Sequence, residues 1–178
     1  IAGIDAYSKR VENKVQYWDL SLNDKWRESF YINQPRFDSQ IIDFRNRIYI
    51  IGGIIDNDFT PTNSVECLSL NSHDWELSSL IIKRKNHKVI NYKNNLYVIG
   101  GKNHNNQATD SVEIYNENLN TWSTSINMNI KRYDFEILLF NDLVYVFGGR
   151  SLDNNIINSI ETFNGSQWLL LSTTLLNT

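Results

Sequence analysis

The sequence predicts an all-β chain of small antiparallel sheets stacked in a radial array, and three observations predict it. The first is a pair of adjacent glycines, Gly52-Gly53, Gly100-Gly101 and Gly148-Gly149, recurring at an interval of 48 residues. A period near fifty, carried by short apolar runs that end in glycine, marks such arrays. The second is the register around them: Tyr49, Tyr97 and Tyr145 stand three positions before each first glycine, and Arg36, Arg84 and Arg132 stand sixteen before it. The third is a common order of landmarks after each pair: a polar loop, then Ser64-Val65-Glu66, Ser111-Val112-Glu113 or Ser159-Ile160-Glu161, and finally Trp75, Trp122 or Trp168.

At the front of the chain, Val15-Gln16-Tyr17-Trp18-Asp19 with Trp26 beyond it reads as a degenerate copy of the third and fourth strands, its glycine pair reduced to Ala2-Gly3. Each full unit opens on a hairpin. In the clearest copy Phe135 to Phe140 is the first strand, and Asn141-Asp142 turns into Leu143-Val144-Tyr145-Val146-Phe147; Arg45-Asn46 and Lys93-Asn94-Asn95 fill the same place elsewhere. The second strand is apolar on both faces in every copy, Ile48 to Ile51, Leu96 to Ile99 and Leu143 to Phe147. A strand of that kind needs cover on both sides, and stacked sheets supply it. The repeating tyrosines and tryptophans are the expected fillers, each needing a polar partner for its hydroxyl or indole N–H. The glycines admit backbone conformations closed to other residues and let the next sheet's bulky groups approach. Third strands run from the Ser-Val-Glu element to Leu70, Tyr115 or Phe163, and a turn rich in Asn, Ser or Gly leads into the tryptophan of the fourth. Units are expected at 36–83, 84–131 and 132–178, with 1–35 as a leading half and no second domain.

Composition narrows the function classes. At 178 residues, 41% hydrophobic and 21% charged, the chain is an ordinary folded protein rather than a disordered one. A formal charge of −3 and a pI of 5.6 give no general pull toward nucleic acid or anionic membrane. The basic cluster Lys83-Arg84-Lys85 with His87-Lys88 contains the repeating arginine and reads as a solvated loop rather than an import or phosphate site. One cysteine, Cys67, excludes an internal disulfide, and its apolar surroundings suggest a buried thiol in a reducing, cytoplasmic compartment. No apolar run reaches the roughly 20 residues that span a bilayer, and Leu169 to Leu176 is broken by Ser172-Thr173-Thr174. There is no basic-then-apolar leader, and a chain starting at Ile1 is expected to be a piece of something longer. Asn164-Gly165-Ser166 matches a glycosylation sequon but is taken as a tight turn. Asparagine and isoleucine make up about a quarter of the residues, well above ordinary usage; both have AT-rich codons.

The landmarks resemble the Kelch repeat: an apolar strand ending in Gly-Gly, a polar loop, a Ser-Val-Glu-x-Tyr-like strand and a spaced tryptophan. The resemblance covers nearly the whole chain and implies an incomplete Kelch-type β-propeller of about three and a half four-stranded antiparallel blades. Propellers close with about 4 to 8 blades, so such a fragment leaves open sheet edges that invite pairing. The Asn/Ile-rich character looks most like the Kelch-like proteins of poxviruses, in which a BTB domain recruits a cullin-type ubiquitin ligase and the propeller selects the protein to be modified. That resemblance implies a protein substrate or host protein met through the loops, in the host-cell cytoplasm. No residues here match a BTB domain, so a cullin ligase is implied only if one lies upstream.

Loops are where a propeller's function is expected, because strands are committed to packing. The candidates are Asp56, Asn57, Asp58 and Phe59; Asn103, His104, Asn105 and Asn106; and Arg150, Asp153 and Asn154, on three loops expected to emerge on one face. Amides and carboxylates with an occasional aromatic suit protein or peptide recognition, though hydrophilic loops are also the default of any soluble fold. Glu66, Glu113 and Glu161 repeat with the unit, so they are read as hydrogen-bonding within each blade rather than as a catalytic carboxylate pair. Arg36, Arg84 and Arg132 are read as ties between strand and loop. His73, His87 and His104 share no metal-ligand spacing, and no metal or cofactor is expected. Copper-oxidase and sialidase propellers are the enzymatic alternative, but Ser69 to Trp75 only loosely echoes the sialidase turn. Phosphate-cradling and Ser/His/Asp signatures are missing, so the chain is read as non-catalytic. A decayed reading frame without activity is the remaining alternative.

Overall fold

The computed structural model describes residues 13–18, 26–72 and 74–174; Ala2-Gly3, Asp19 and His73 lie outside them. A short strand pair comes first, β1 (Lys14–Trp18) with β2 (Trp26–Tyr31). Three four-stranded sheets come after it. The first holds β3 (Gln40–Phe44), β4 (Arg47–Ile51), β5 (Ser64–Ser69) and β6 (Trp75–Ser79); the second β7 (Lys88–Tyr92), β8 (Asn95–Ile99), β9 (Val112–Asn116) and β10 (Thr121–Thr124). The third holds β11 (Glu136–Phe140), β12 (Leu143–Phe147), β13 (Ser159–Phe163) and β14 (Trp168–Thr174). Neighbours in sequence are neighbours in space, all antiparallel. The fold is all-β, an open segment of a propeller.

Each first hairpin closes through two residues with positive φ: Arg45 and Asn46, Lys93 and Asn94, Asn141 and Asp142. Two left-handed residues in succession match the right-handed twist of the flanking strands. The second of these turns is shorter than the sequence predicts. Asn95 belongs to β8 and pairs with Tyr92, because a two-residue turn keeps the register that buries Leu96 and Val98.

Sheets stack through aromatic side chains. Tyr49 of the first sheet meets Tyr115 of the second at 5.5 Å, edge to face, and Tyr97 of the second meets Phe163 of the third at 5.7 Å in the same geometry. Tyr115 and Phe163 each pack on their own sheet's tryptophan, Trp122 and Trp168. Those indoles reach back to the preceding unit: Trp122 donates to Ser78 Oγ of β6 and Trp168 to the Ile126 carbonyl, just beyond β10. Trp75 is half-buried against the cluster of Val15, Ile32 and Ile50.

Tyr145 departs from the expected role as a filler between sheets. It stacks on Phe147 of its own strand, at 6.0 Å, because among the described residues no sheet comes after β11–β14. The same openness governs its neighbours. Phe44, Tyr92 and Phe140 occupy one place in the repeat, yet they are 4%, 1% and 57% exposed. The strand predicted to need cover on both sides is buried throughout at Leu96 to Ile99 but alternates in burial along β12.

Gly52 and Gly100 show why no side chain is tolerated there. Both have φ near 58°, and a Cβ would come within 2.9 Å of the Arg84 or Arg132 carbonyl of the next unit. The glycine is the place where one unit's strand end meets the next unit's entry.

Candidate functional site

Behind the loops lies a repeated ionic frame. Arg36, Arg84 and Arg132 are fully buried and pair with the buried Glu66, Glu113 and Glu161. Each arginine Nη1 also donates to the carbonyl of the first glycine of its pair and to the carbonyl of the serine at the start of the third strand (Ser64, Ser159) or just before it (Ser111). Burial lowers each guanidinium pKa and the adjacent carboxylate raises it back in part. The glutamates do more than the expected bonding within a blade. Their oxygens accept backbone N–H groups of Asn33 and Gln34, Ile81 and Ile82, and Asn129 and Ile130, the segments arriving from the preceding sheet. A carboxylate on the third strand therefore fixes both the entry to the unit and, through arginine, the base of its loop.

On this base the three loops repeat one conformation. Asp56 Oδ1 accepts the N–H groups of Asp58 and Thr60, and Asn103 Oδ1 accepts those of Asn105 and Gln107. Those hydrogen bonds hold the Asp56 carboxyl below its usual pKa. These two side chains are consumed inside their loops. The turn then needs a left-handed residue, supplied by Phe59, Asn106 and Asn154 with φ between 59° and 63°. Asparagine tolerates that conformation, whereas a bulky aromatic is an outlier there. Asn154 is further held by the Tyr133 hydroxyl, at 2.6 Å, and Arg150 donates to its carbonyl.

The loops of the first two units converge on a cavity of about 520 Å³. Asp58 and Phe59 line one side and Asn103, His104 and Asn106 the other; Lys83 and Lys85 close it. Asn57 and Asn105 are exposed beside it. Arg150, Asp153 and Asn154 do not line it, so two of the three candidate loops are brought together and the third stands apart. The expectation that Lys85 is a solvated loop residue needs correction. Its Nζ donates to the Phe59 carbonyl and lies 5.8 Å from that ring's centre. The signal that could have found it is register, since Lys85 takes the place of Phe37 and Tyr133, which pair with the loop bases Ile54 and Arg150.

A second constellation also obeys the repeat, and sequence reasoning misses it. Asp38, Asn86 and Asp134, 48 residues apart and all with positive φ, line a cavity of about 220 Å³ with Gln40, Lys88 and Glu136. It sits where the first strands β3, β7 and β11 come alongside one another. Burial and the Asp134 charge push the Asp38 carboxyl up. Lys88 neutralises Glu136 at 2.9 Å. Beside this cavity His87 is fully buried, with neither ring nitrogen in a hydrogen bond of normal geometry.

Burial, with the Arg84 charge next, lowers the His87 pKa from 6.5 to about 3. Above pH 6.5 the ring is neutral folded and unfolded, so it contributes no pH dependence. Below that, only the unfolded chain takes the proton, and stability falls as pH drops toward about 3, by at most about 1.4 kcal/mol per pH unit. His87→Phe, matching Phe135 at the same repeat position, is expected to flatten that decline in urea titrations across this window. An equally steep loss in the variant would place the acid sensitivity elsewhere.

Other features are structural. Cys67 is a buried free thiol, its pKa raised by burial. On the opposite rim, Arg45 pairs with Glu117 across the first and second sheets, bordering a cavity of about 380 Å³. Among the described residues, no three His, Cys, Asp or Glu side chains come together as a metal site, and no helix is long and apolar enough to cross a membrane.

Comparison with known proteins agrees with this geometry. A family model described as the KLHDC2/KLHL20/DRC7 Kelch-repeats domain matches residues 39–175. No curated protein matches the chain. Among solved structures, one titled "Structure of YjhT" superposes with a TM-score of 0.78 at 15% identity, over 90% of this chain and 59% of that one. At that identity the likeness speaks for the fold alone, and this chain spans little more than half of the matched structure. With the repeated glycines, the Arg–Glu frame and a family match over most of its length, the chain belongs to the Kelch-repeat family, whose repeats form a non-catalytic protein-interaction module.

Proposed function

We propose that the chain binds a protein partner through the connections that come after its glycine pairs. The observation that carries this reading is the cavity between the first two loops, with Phe59 left 56% exposed at its edge. Substrate selection for a cullin-type ubiquitin ligase, acting on host proteins for a virus, is the finer form of the proposal. The Asn/Ile-rich resemblance to the poxvirus Kelch-like proteins supports it, and it requires a BTB portion outside these residues. A second reading is a remnant without activity.

Proximity labelling in cells, with the intact chain and Phe59→Ala side by side, separates these readings. The expected result is a set of labelled proteins that the substitution depletes about tenfold, the equivalent of about 1.4 kcal/mol. Rapid clearance of the intact chain, with no Phe59-dependent neighbours, would instead favour the remnant.

A further inference from the structure

Asn164-Gly165 is the one asparagine–glycine step in the chain, and it stands in the turn between β13 and β14. Three donors converge on Asn164 Oδ1: the Ser166 N–H and hydroxyl, each at 2.9 Å, and the Gln167 N–H at 3.0 Å. From the neighbouring sheet, the exposed Lys93 donates its Nζ to the Asn164 main-chain carbonyl at 3.1 Å. The Gly165 N–H makes no hydrogen bond among the described residues. Gly165 and Ser166 are exposed, and a Cβ on the glycine would meet nothing beyond its chain neighbours nearer than the Tyr92 ring, at 3.5 Å.

These contacts touch both ends of one reaction, the attack of Gly165 N on Asn164 Cγ to close a cyclic imide. The nitrogen attacks only after losing its proton, and the charge then spreads through the amide onto the Asn164 main-chain oxygen, where the Lys93 ammonium stands. As the new bond forms, negative charge develops on Oδ1. Three donors are already in place there, at the distances expected of groups that stabilise an oxyanion. Glycine has no side chain to obstruct the approach, and the turn restricts the two groups to each other's neighbourhood.

We propose that Asn164 is a site of spontaneous covalent modification, with Lys93 assisting the nucleophile and the Ser166 and Gln167 donors assisting the carbonyl under attack. The Gly165 N–H gives its proton to hydroxide, the N–Cγ bond forms, and the Cγ–Nδ2 bond breaks as ammonia departs with a proton from water. Water then opens the imide and is the only co-reactant. Cleavage of the N–Cγ bond leaves aspartate; cleavage of the bond to the main-chain carbonyl leaves isoaspartate, with the backbone routed through Cβ and Cγ and longer by one methylene. The lengthened turn acts on a junction. Phe163 and Trp168 flank it as a register pair and reach Tyr97 and the Ile126 carbonyl of the second unit, so the modification loosens the third unit from the second as the chain ages. Asn103 is the internal contrast. Its Oδ1 is also held by two amides, but the attacking nitrogen would be that of His104, and its carbonyl accepts the Asn106 amide rather than a cation.

The test is to incubate the folded chain in neutral buffer at physiological temperature and follow isoaspartate by enzymatic methyl labelling and peptide mapping, beside a synthetic peptide of residues 163–168. Asn164 is expected to convert at least about tenfold faster than Asn103, and about threefold faster than in the free peptide. Lys93→Met should slow the conversion by about threefold, the reach of an exposed charge. Lys131→Met, an exposed lysine without a contact to the turn, should leave it unchanged. Slower conversion in the folded chain than in the peptide, indifference to Lys93→Met, equal slowing by Lys131→Met, or labelling that survives Asn164→Ala overturns the proposal.

Discussion

Glu113→Ala lowers the unfolding free energy by about 3–5 kcal/mol, the cost of leaving a buried charge without its partner. Arg84 would then lie fully buried with only carbonyl and hydroxyl oxygens around it, and the N–H groups of Ile81 and Ile82 would lose their acceptors. Against a typical domain stability of about 5–15 kcal/mol, that loss is a large share of the total. Replacing both partners, Arg84→Met with Glu113→Leu, often rescues a simple buried ion pair. Here it should not, because the pair also serves the carbonyls of Gly100 and Ser111 and two linker amides. Chemical denaturation of the single and double variants checks this. Recovery of stability in the double variant would show that the backbone bonds contribute little.

Phe44→Ala costs about 3–5 kcal/mol, the range for deleting a buried aromatic, whereas Phe140→Ala costs under about 1 kcal/mol. The two residues share one repeat position and one side-chain chemistry, and they differ in what lies on top. Phe44 packs in a cluster with Leu96, Val98, Tyr115 and Trp122 of the next sheet, while Phe140, Leu138 and Tyr145 border an open apolar hollow on β11–β14. Denaturant midpoints of the two variants, measured at low protein concentration, make the comparison. If Phe140→Ala were as costly as Phe44→Ala, the hollow would be filled in solution.

The glycine pairs, the tyrosine and arginine offsets and the hairpin turns are legible in the sequence because each is a local requirement repeated in register. Glycine is needed where a Cβ would strike a carbonyl, and paired left-handed residues are needed where two strands reverse. Anything set by a neighbouring sheet escapes such a reading. Tyr145 carries the same sequence context as Tyr49 and Tyr97, and nothing within its own strand tells that no sheet among the described residues covers it. The second role of Glu66, Glu113 and Glu161 is hidden for a similar reason: their added partners are backbone amides, which any residue type except proline can supply. Of the site, the loop positions can be read but the convergence of two loops on Lys83 and Lys85 cannot. The bridge between Lys85 and Lys102 obeys the repeat, with Phe37–Ile54 and Tyr133–Arg150 at the equivalent positions, but how one unit's loop meets the next is set between sheets, where a strand's own residues carry no signal.

The grip of each glutamate on the segment arriving from the sheet before it also dictates how the array comes apart. Stability in stacked arrays is approximately a sum of terms for each module and for each junction, and here the junction includes two amides held by a carboxylate of the following module. Pulled from its ends, the chain should therefore yield in discrete steps spaced by about one repeat, each step beginning where a linker is torn from its acceptor rather than where a strand peels from its sheet.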